Sequence, residues 1–299
     1  MIPYREITLS DKEWMQEKLR ESGLRGSEYC FPNQFLWGSL IGMKAAEVEG
    51  CLCTAYQVKG QKAAHDFPTG AGDRKGAVLA VLEDDRQQGR HTVFRGIPEE
   101  ERAWMESVFP GRFAYEEKRD EWDYLYSVEA LAGLKGKRYH GKRNHIARFC
   151  DGGSWEYEEL DDSSVMPCRL MYEEWLARNE ERLDASAAKE KAVVDGCLTY
   201  FRELGLQGGV LKREGGLVGF CIGSVLTDDT FIVHIEKART DIQGAYPMLN
   251  RQFVLHNMDG FRYVNREDDL GLEGLRKAKL SYHPELLLKK YSAVGIECP

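Results

Sequence analysis

Apolar positions along this chain recur in two rhythms, a three-to-four-residue spacing and an every-other-residue spacing, and the switches between them mark its elements. Helical spacing over about 10–21, opened by Ser10-Asp11-Lys12-Glu13 in the form of a capping box, predicts a first helix. A helical stretch around 34–43 leads to a strand near 51–58 and then to the glycine-rich loop Pro68-Thr69-Gly70-Ala71-Gly72. A helix is expected over about 74–87 and a strand over 91–95. Pro98 suits a first helical position, with Glu99, Glu100 and Glu101 favourable at the positive end of that helix. Short strands at about 112–116 and 123–127 close this half.

The second half carries stronger patterns. Helices are expected at about 168–183 and 187–204, the latter with Val194, Cys197, Leu198, Phe201 and Leu204 in one apolar stripe. Strands follow near 208–213, 216–226 and 230–237. The runs Gly219-Phe220-Cys221-Ile222 and Phe231-Ile232-Val233 are almost continuously apolar, as strands covered on both faces must be. A helix over about 245–257 presents Tyr246, Leu249 and Phe253 on one side. A strand at 261–265, a helix near 271–279 and a last strand at about 286–294 complete the chain.

Both halves therefore run through strands, loop, helix, strand, helix and strand, an order that resembles the acyl-CoA N-acyltransferase (GNAT-type) fold. The expected class is α/β (α+β), with two tandem GNAT-like domains, each a mixed central sheet flanked by helices. The domains are placed at 1–134 and 161–299, with a basic-to-acidic linker at 135–160.

Composition narrows the picture. A chain of 299 residues is long for one core and comfortable for two, and 42% apolar with 30% charged residues is an ordinary globular balance. No run of about 18 apolar residues occurs, and Met1-Ile2-Pro3-Tyr4-Arg5-Glu6 lacks the apolar centre of a signal peptide. A cytoplasmic protein without a transmembrane segment is expected. The eight cysteines show no Cys-x-x-Cys; Cys51 and Cys53 fall on one face of an apolar strand as small buried hydrophobes, and no metal site is expected. The net charge of −8 argues against a general nucleic-acid coat. Its distribution is uneven, however. No acid lies between Glu129 and Asp151, where Lys135, Lys137, Arg138, Lys142, Arg143 and Arg148 cluster, whereas 151–190 is rich in acids, Glu180 and Glu181 among them. The basic stretch reads either as an exposed connection or as a phosphate contact in which Lys142 and Arg143 hold a donor.

Three further groups bear on chemistry. The densest, from Asn265-Arg266-Glu267-Asp268-Asp269 to Arg276, Lys277, Lys279, Tyr282 and His283, begins at a strand end and opens a helix. Acids near a helix N-terminus and bases near its end are explained by the dipole, but the polar pair Asn265-Arg266 directly after an apolar strand is not. Glu236-Lys237 ends another apolar strand, where the two residues form a structural ion pair or Glu236 acts as a general base. The loops before the long helices are candidate pyrophosphate cradles: Gly70 and Gly72 in the first half, and Gln243, Gly244, Ala245 and Tyr246 in the second. Neither keeps the full GNAT signature, since Asp241 repels a pyrophosphate and Tyr246 crowds it. The chain has no Gly-x-Ser-x-Gly, no Walker loop and no His-Glu-x-x-His.

Taken together, Lys142-Arg143-Asn144, His234-Ile235-Glu236-Lys237-Ala238, Gly244-Ala245-Tyr246, Asn265-Arg266-Glu267-Asp268-Asp269-Leu270-Gly271, Gly274-Leu275-Arg276-Lys277-Ala278-Lys279 and Ser281-Tyr282-His283-Pro284 carry a resemblance. So do Asp123-Tyr124-Leu125-Tyr126 and Leu131-Ala132-Gly133-Leu134-Lys135-Gly136. The chain resembles, over nearly its whole length, a bacterial family of unknown function that shares the C-terminal catalytic domain of phosphatidylglycerol lysyltransferases. The resemblance implies a tandem GNAT-type, Fem-like layout and transfer of an activated acyl group, with aminoacyl-tRNA or acyl-CoA as donor. The acceptor would be the amine or hydroxyl of a small molecule, peptide or lipid headgroup, with tRNA as a partner. In that reading Glu236 is the base, Asn265 and Arg266 orient substrate, and Lys279, Tyr282 or His283 protonates the leaving group or contacts phosphate. The alternatives are a CoA-dependent N-acetyltransferase and a non-catalytic module that binds an anionic ligand or nucleotide.

Overall fold

The structure, a computed structural model, describes residues 1–58, 62–179 and 187–296. Glu180, Glu181, Cys298 and the end of the helix expected over 168–183 lie outside the described residues. The elements in chain order are β1 (Arg5–Glu6), α1 (Lys12–Ser22), α2 (Phe31–Leu40), β2 (Lys44–Val48), β3 (Cys51–Val58), β4 (Lys62–Asp66), α3 (Arg74–Gln87), β5 (His91–Pro98), α4 (Glu99–Val108) and β6 (Phe113–Glu117). They continue with β7 (Asp123–Ser127), α5 (Val128–Gly133), α6 (His140–Asp151), β8 (Trp155–Glu159), α7 (Asp162–Asn179), α8 (Ala187–Thr199), β9 (Gln207–Arg213), β10 (Gly216–Thr227) and β11 (Thr230–Ala238). Last come α9 (Ala245–Asn257), β12 (Tyr263–Asn265), α10 (Glu273–Leu280), β13 (Leu286–Leu288) and β14 (Lys290–Gly295).

The strands form two seven-stranded mixed sheets, ordered β1-β2-β3-β4-β5-β14-β6 and β13-β7-β12-β11-β10-β9-β8. Two strands are exchanged relative to a linear reading of the chain. C-terminal β14 lies between β5 and β6, pairing Ala293 with Phe94 and with Tyr115, and β7 pairs with β12, Val264 opposite Tyr126. The compact units follow the exchange. One comprises Met1–Tyr124, Asp268–Lys277 and the chain from Leu287 on; the other comprises Leu125–Glu267 and Ala278–Leu286. Residues 135–160, expected as a connection, contain α6 and β8 within the second unit.

Local physics accounts for most elements. Asp11 closes on Thr8, its carboxylate accepting from the Thr8 backbone N–H at 2.8 Å, so the cap lies two residues before the Ser10 expected from sequence. The Asp73 side chain caps α3 through the Gly76 N–H at 3.0 Å, and Pro98 stands as N-cap of α4, ahead of its three glutamates. In the second unit, Phe220, Cys221, Ile222, Phe231 and Ile232 are fully buried, and α9 packs Leu249 and Phe253 over β9, β10 and β11. The pairs Ile222–Ile235 and Gly223–Val233 leave His234 as the additional residue of a bulge in β11. Gly223 serves that close approach, because a Cβ there would stand 2.3 Å from the Ile232 carbonyl oxygen.

Candidate functional site

In the second unit β11 and β12 run parallel, Ile232 opposite Asn265, so both chains leave the sheet at the same edge. That edge is where side chains of an α/β sheet become available for chemistry. Glu236 comes from the end of β11 and Arg266 follows the last residue of β12. The Arg266 Nη2 donates to both Glu236 carboxylate oxygens at 2.9 Å, and Asn250 of α9 adds a bond from Nδ2 to Oε2 at 3.0 Å. Both charged side chains are only 11% exposed, which makes this a buried pair. Burial is the largest influence on Arg266 and works against its charge, but Glu236 together with Tyr126, Tyr282 and Cys221 outweighs it and holds the guanidinium pKa above its ordinary value.

One donor is left over. Arg266 Nη1 is buried and has no hydrogen-bond partner among the described residues. The guanidinium carbon stands 4.8 Å from the centre of the Tyr282 ring and 5.6 Å from that of Tyr126. Lys142 of α6 faces the same Tyr282 ring, with Nζ 3.6 Å from its centre, and donates to Ser281 Oγ at 2.7 Å. Burial, and then the Arg266 charge, push the Lys142 pKa down to about 8, with Glu236 pulling the other way. Burial raises the Tyr282 hydroxyl above its ordinary range.

Further hydrogen bonds hold the 278–286 segment around these groups. The Tyr126 hydroxyl donates to the Lys279 carbonyl at 2.8 Å, and the Tyr139 hydroxyl to that of Tyr282 at 3.1 Å. Lys279 Nζ donates to the Arg266 carbonyl at 2.6 Å, and the Glu285 N–H to the Leu125 carbonyl at 2.8 Å. Chemically, the site offers a rigid guanidinium donor for an oxygen that carries or develops negative charge. Beside it stands an amine that exchanges its proton not far above neutrality.

Of the residues singled out from sequence, Glu236, Arg266, Tyr282 and Lys142 are brought together here. Asn265 is fully buried and accepts from the Glu267 N–H at 2.6 Å, fixing the turn in which Glu267 takes a φ of +56°. Lys279 acts on the Arg266 backbone. His283 is exposed, with its ring edge-on to Tyr139 at 5.4 Å and Nε2 at 3.4 Å from the Arg138 carbonyl oxygen. Arg143 turns away to the carbonyls of Leu134 and Gly136, closing the end of α5. Glu236 and Lys237 do not pair with each other, because adjacent strand residues point to opposite faces. Lys237 instead meets Glu190 at 2.8 Å and stands 4.1 Å from the Trp175 ring centre.

The two glycine loops are closely packed rather than open. A Cβ on Gly244 would lie 2.0 Å from the His145 carbonyl oxygen of α6, and the Ala245 N–H already bonds the Ile242 carbonyl at 3.2 Å. Gln243 is exposed; the Tyr246 hydroxyl accepts from Trp175 Nε1 at 3.1 Å, and burial raises its pKa to about 12. Asp241, expected to repel a phosphate, is neutralised by Arg178 and Arg239. In the first unit, a Cβ on Gly72 would lie 2.2 Å from the Glu49 carbonyl oxygen and one on Gly70 2.9 Å from the Lys18 side chain. The intervening Ala71 N–H is taken by the Glu21 carboxylate at 2.9 Å. A shallow cleft lined by Ile2, Glu83 and Asp84 also lies in this unit and contains none of the predicted residues.

Sequence reasoning gave no site role to Asn250, or to Tyr126 and Ser281, which it met only within the motifs that carry the resemblance. Asn250 left a signal: it is a polar residue, 2% exposed, beside Leu249 on the buried side of α9. Among the described residues no group of three or more His, Cys, Asp or Glu is placed to hold a metal ion, and no helix is long and apolar enough to cross a membrane.

Comparison with known proteins bears on this geometry. A conserved protein of unknown function from Bacteroides thetaiotaomicron is 35% identical, covers 99% of this chain and 100% of its own, and superposes with a TM-score of 0.95. L-PGS from Bacillus licheniformis is 16% identical over 97% of this chain and 93% of its own, with a TM-score of 0.67. FemX is 8% identical over 97% of both chains, with a TM-score of 0.62. At the last two identities the likeness is one of fold, that of tandem GNAT-like, Fem-like mixed sheets flanked by helices. An uncharacterised protein of Mycoplasmoides gallisepticum is 27% identical over 207 residues, a match spanning 63% of this chain and 60% of that protein. Residues 19–294 match the family described as Phosphatidylglycerol lysyltransferase, C-terminal, and the chain belongs to that family.

Proposed function

We propose that this protein transfers an aminoacyl group from an activated ester to an amine or hydroxyl acceptor, using the Arg266 site of the second unit. The observation that carries the reading is the spare donor: a buried guanidinium fixed on Glu236, with Nη1 unpartnered among the described residues. The carbonyl oxygen of an ester gains negative charge as it is attacked, and a donor already fixed in place stabilises that charge without reorganising. The family description, and the Fem-like fold, support aminoacyl-tRNA as the donor.

In this scheme the acceptor nitrogen or oxygen bonds to the acyl carbon and the ester C–O bond breaks. Neutral Lys142 takes the acceptor's proton and returns it to the departing ribose oxygen. A pKa of about 8 leaves about a quarter of Lys142 neutral at pH 7.5, enough to act as base while its cation remains a competent acid. Glu236, with both oxygens engaged, serves as the positioning group for Arg266. Positioning of donor and acceptor supplies most of the rate. The proposed location is the cytoplasm, where aminoacyl-tRNA is made.

Acyl-CoA as donor is the weaker reading, since the glycines of both loops are packed against protein and the Ala71 and Ala245 N–H groups are already bonded. A module that only holds an anion is favoured by one observation, the pairing of Arg266 with Lys142 around Tyr282. Thermal-shift titration with charged tRNA, uncharged tRNA and CoA separates these readings, because a ligand that binds the folded state raises its melting temperature. Stabilisation by charged tRNA beyond uncharged supports aminoacyl transfer. Stabilisation by CoA alone, or by both tRNAs equally, contradicts it.

A further inference from the structure

β11 sends two side chains to the turn that follows β12, and the proposed chemistry uses only one of them. Glu236 holds the Arg266 guanidinium. His234, two residues earlier, reaches the next residue of the turn, its Nδ1 standing 3.3 Å from Glu267 Oε1. On the other side of the ring, Nε2 lies 2.9 Å from the Oγ of Ser224 in β10. A carboxylate only accepts, so Nδ1 carries a proton and donates it, and in the neutral ring Nε2 accepts from the Ser224 hydroxyl. Both nitrogens are thus occupied in a side chain that is 2% exposed. The bulge that makes His234 the additional residue of β11 sets this direction.

Hydroxyl, imidazole and carboxylate stand here in the order of a nucleophilic triad, but Ser224 is 5% exposed, which suits an orienting partner of His234 rather than a nucleophile. The strain lies at the other end. Glu267 has φ +56°, a left-handed conformation that costs a residue with a side chain and that glycine adopts freely. The turn is fastened at two more points, by the Glu267 N–H on Asn265 Oδ1 at 2.6 Å and by Lys279 Nζ on the Arg266 carbonyl at 2.6 Å. A strained glutamate tied to a buried histidine, directly beside the residue that carries the spare donor, points to a use for the tie itself. We infer that His234 and Glu267 are positioning residues for Arg266: their bond fixes the backbone from which the guanidinium projects, as Glu236 fixes its far end. This rests on the proposed role of Arg266 as donor to the reacting carbonyl oxygen. Misplacing such a group by about 1 Å costs about a hundredfold in rate.

Glu267→Gly separates the tie from the fold, because glycine takes the left-handed conformation without strain while the bond to His234 is lost. The expected melting temperature is within about 4 °C of wild type. Proton exchange from the Arg266 guanidinium, followed by heteronuclear NMR and assigned by its loss in Arg266→Met, should be about tenfold faster or more. In discharge of charged tRNA, kcat should fall about tenfold or more while KM stays within about twofold. Glu267→Gln, whose amide oxygen still accepts from His234, should recover most of both losses. Should Glu267→Gly fail to fold, His234→Gln, which cannot hold both neighbours at once, decides by the same two readouts. Unchanged guanidinium exchange, or unchanged kcat in an active protein, overturns the inference. If wild type discharges no charged tRNA, the functional reading fails, and the exchange measurement still decides whether this tie positions Arg266.

Discussion

Replacing Glu236 by Gln tests how the second-unit site is held together. The substitution keeps the side chain's size but removes the charge that faces Arg266 across two 2.9 Å contacts. Both side chains are 11% exposed, so water cannot replace the lost partner well. Breaking a buried pair by removing one member costs about 3–5 kcal/mol, because the remaining charge is left uncompensated. A glutamine oxygen still accepts one bond from Arg266, and Asn250 still meets the amide, so a cost shifted somewhat below that range, about 2–4 kcal/mol, is expected. The assay is urea denaturation of wild type, Glu236→Gln, Arg266→Met and the double variant. Because the two groups touch, the double variant should cost at least about 1 kcal/mol less than the sum of the singles. If Glu236→Gln costs under about 0.5 kcal/mol, or if the two substitutions simply add, the pair is solvated and the rigid-donor argument fails.

Other outcomes follow from the same geometry. A lysine whose folded pKa is about 8 binds fewer protons than the unfolded chain between pH 8 and its ordinary range, so its penalty is fully present below pH 8 and fades above it. Lys142→Met should therefore stabilise the protein most at pH 7 and progressively less toward pH 10, which denaturation midpoints across that range will show. Transfer activity should rise with pH through about 8 in wild type, and that rise should disappear in Lys142→Met. Tyr282→Leu removes the ring that faces two cations at 3.6 and 4.8 Å and should cost about 1–3 kcal/mol, measured by the same denaturation. Gly244→Ala puts a methyl 2.0 Å from a carbonyl oxygen at a residue with φ +84 and should cost about 2 kcal/mol or more, read as a lowered melting temperature.

Sequence pattern captured what local physics controls. The runs 219–222 and 231–233 are too apolar to be anything but covered strands, and α9 with its stripe of Leu249 and Phe253 matched its expected span. Pairing was not legible, because nothing local in Tyr291-Ser292-Ala293 announces that this strand inserts beside β5 rather than in the sheet nearer in sequence. β4 was also passed over: Ala63-Ala64-His65-Asp66 has weak strand character, and its parallel partner β5 decides its state. For the proposed site, a polar pair after an apolar strand was the useful signal, and it pointed to Arg266, which the structure places against Glu236. The charge run at 135–148 pointed to Lys142 but could not separate it from Arg143, since their fates depend on which side of α6 faces Tyr282. Asp269 read as a helix-end acid, whereas it is fully buried between Arg119, Tyr124 and Arg276.

The central claim is that Arg266 and Lys142 carry out aminoacyl transfer. It is tested most directly by following the loss of radiolabelled amino acid from a mixed pool of charged tRNAs with wild-type protein, Arg266→Met and Lys142→Met. A cell extract supplies the acceptors. The account predicts that wild type discharges at least one aminoacyl species into a tRNA-free product and that both variants lose this by about a hundredfold or more, the scale of one preorganised donor. No discharge of any species above the protein-free rate, or equal discharge by Arg266→Met, would contradict it.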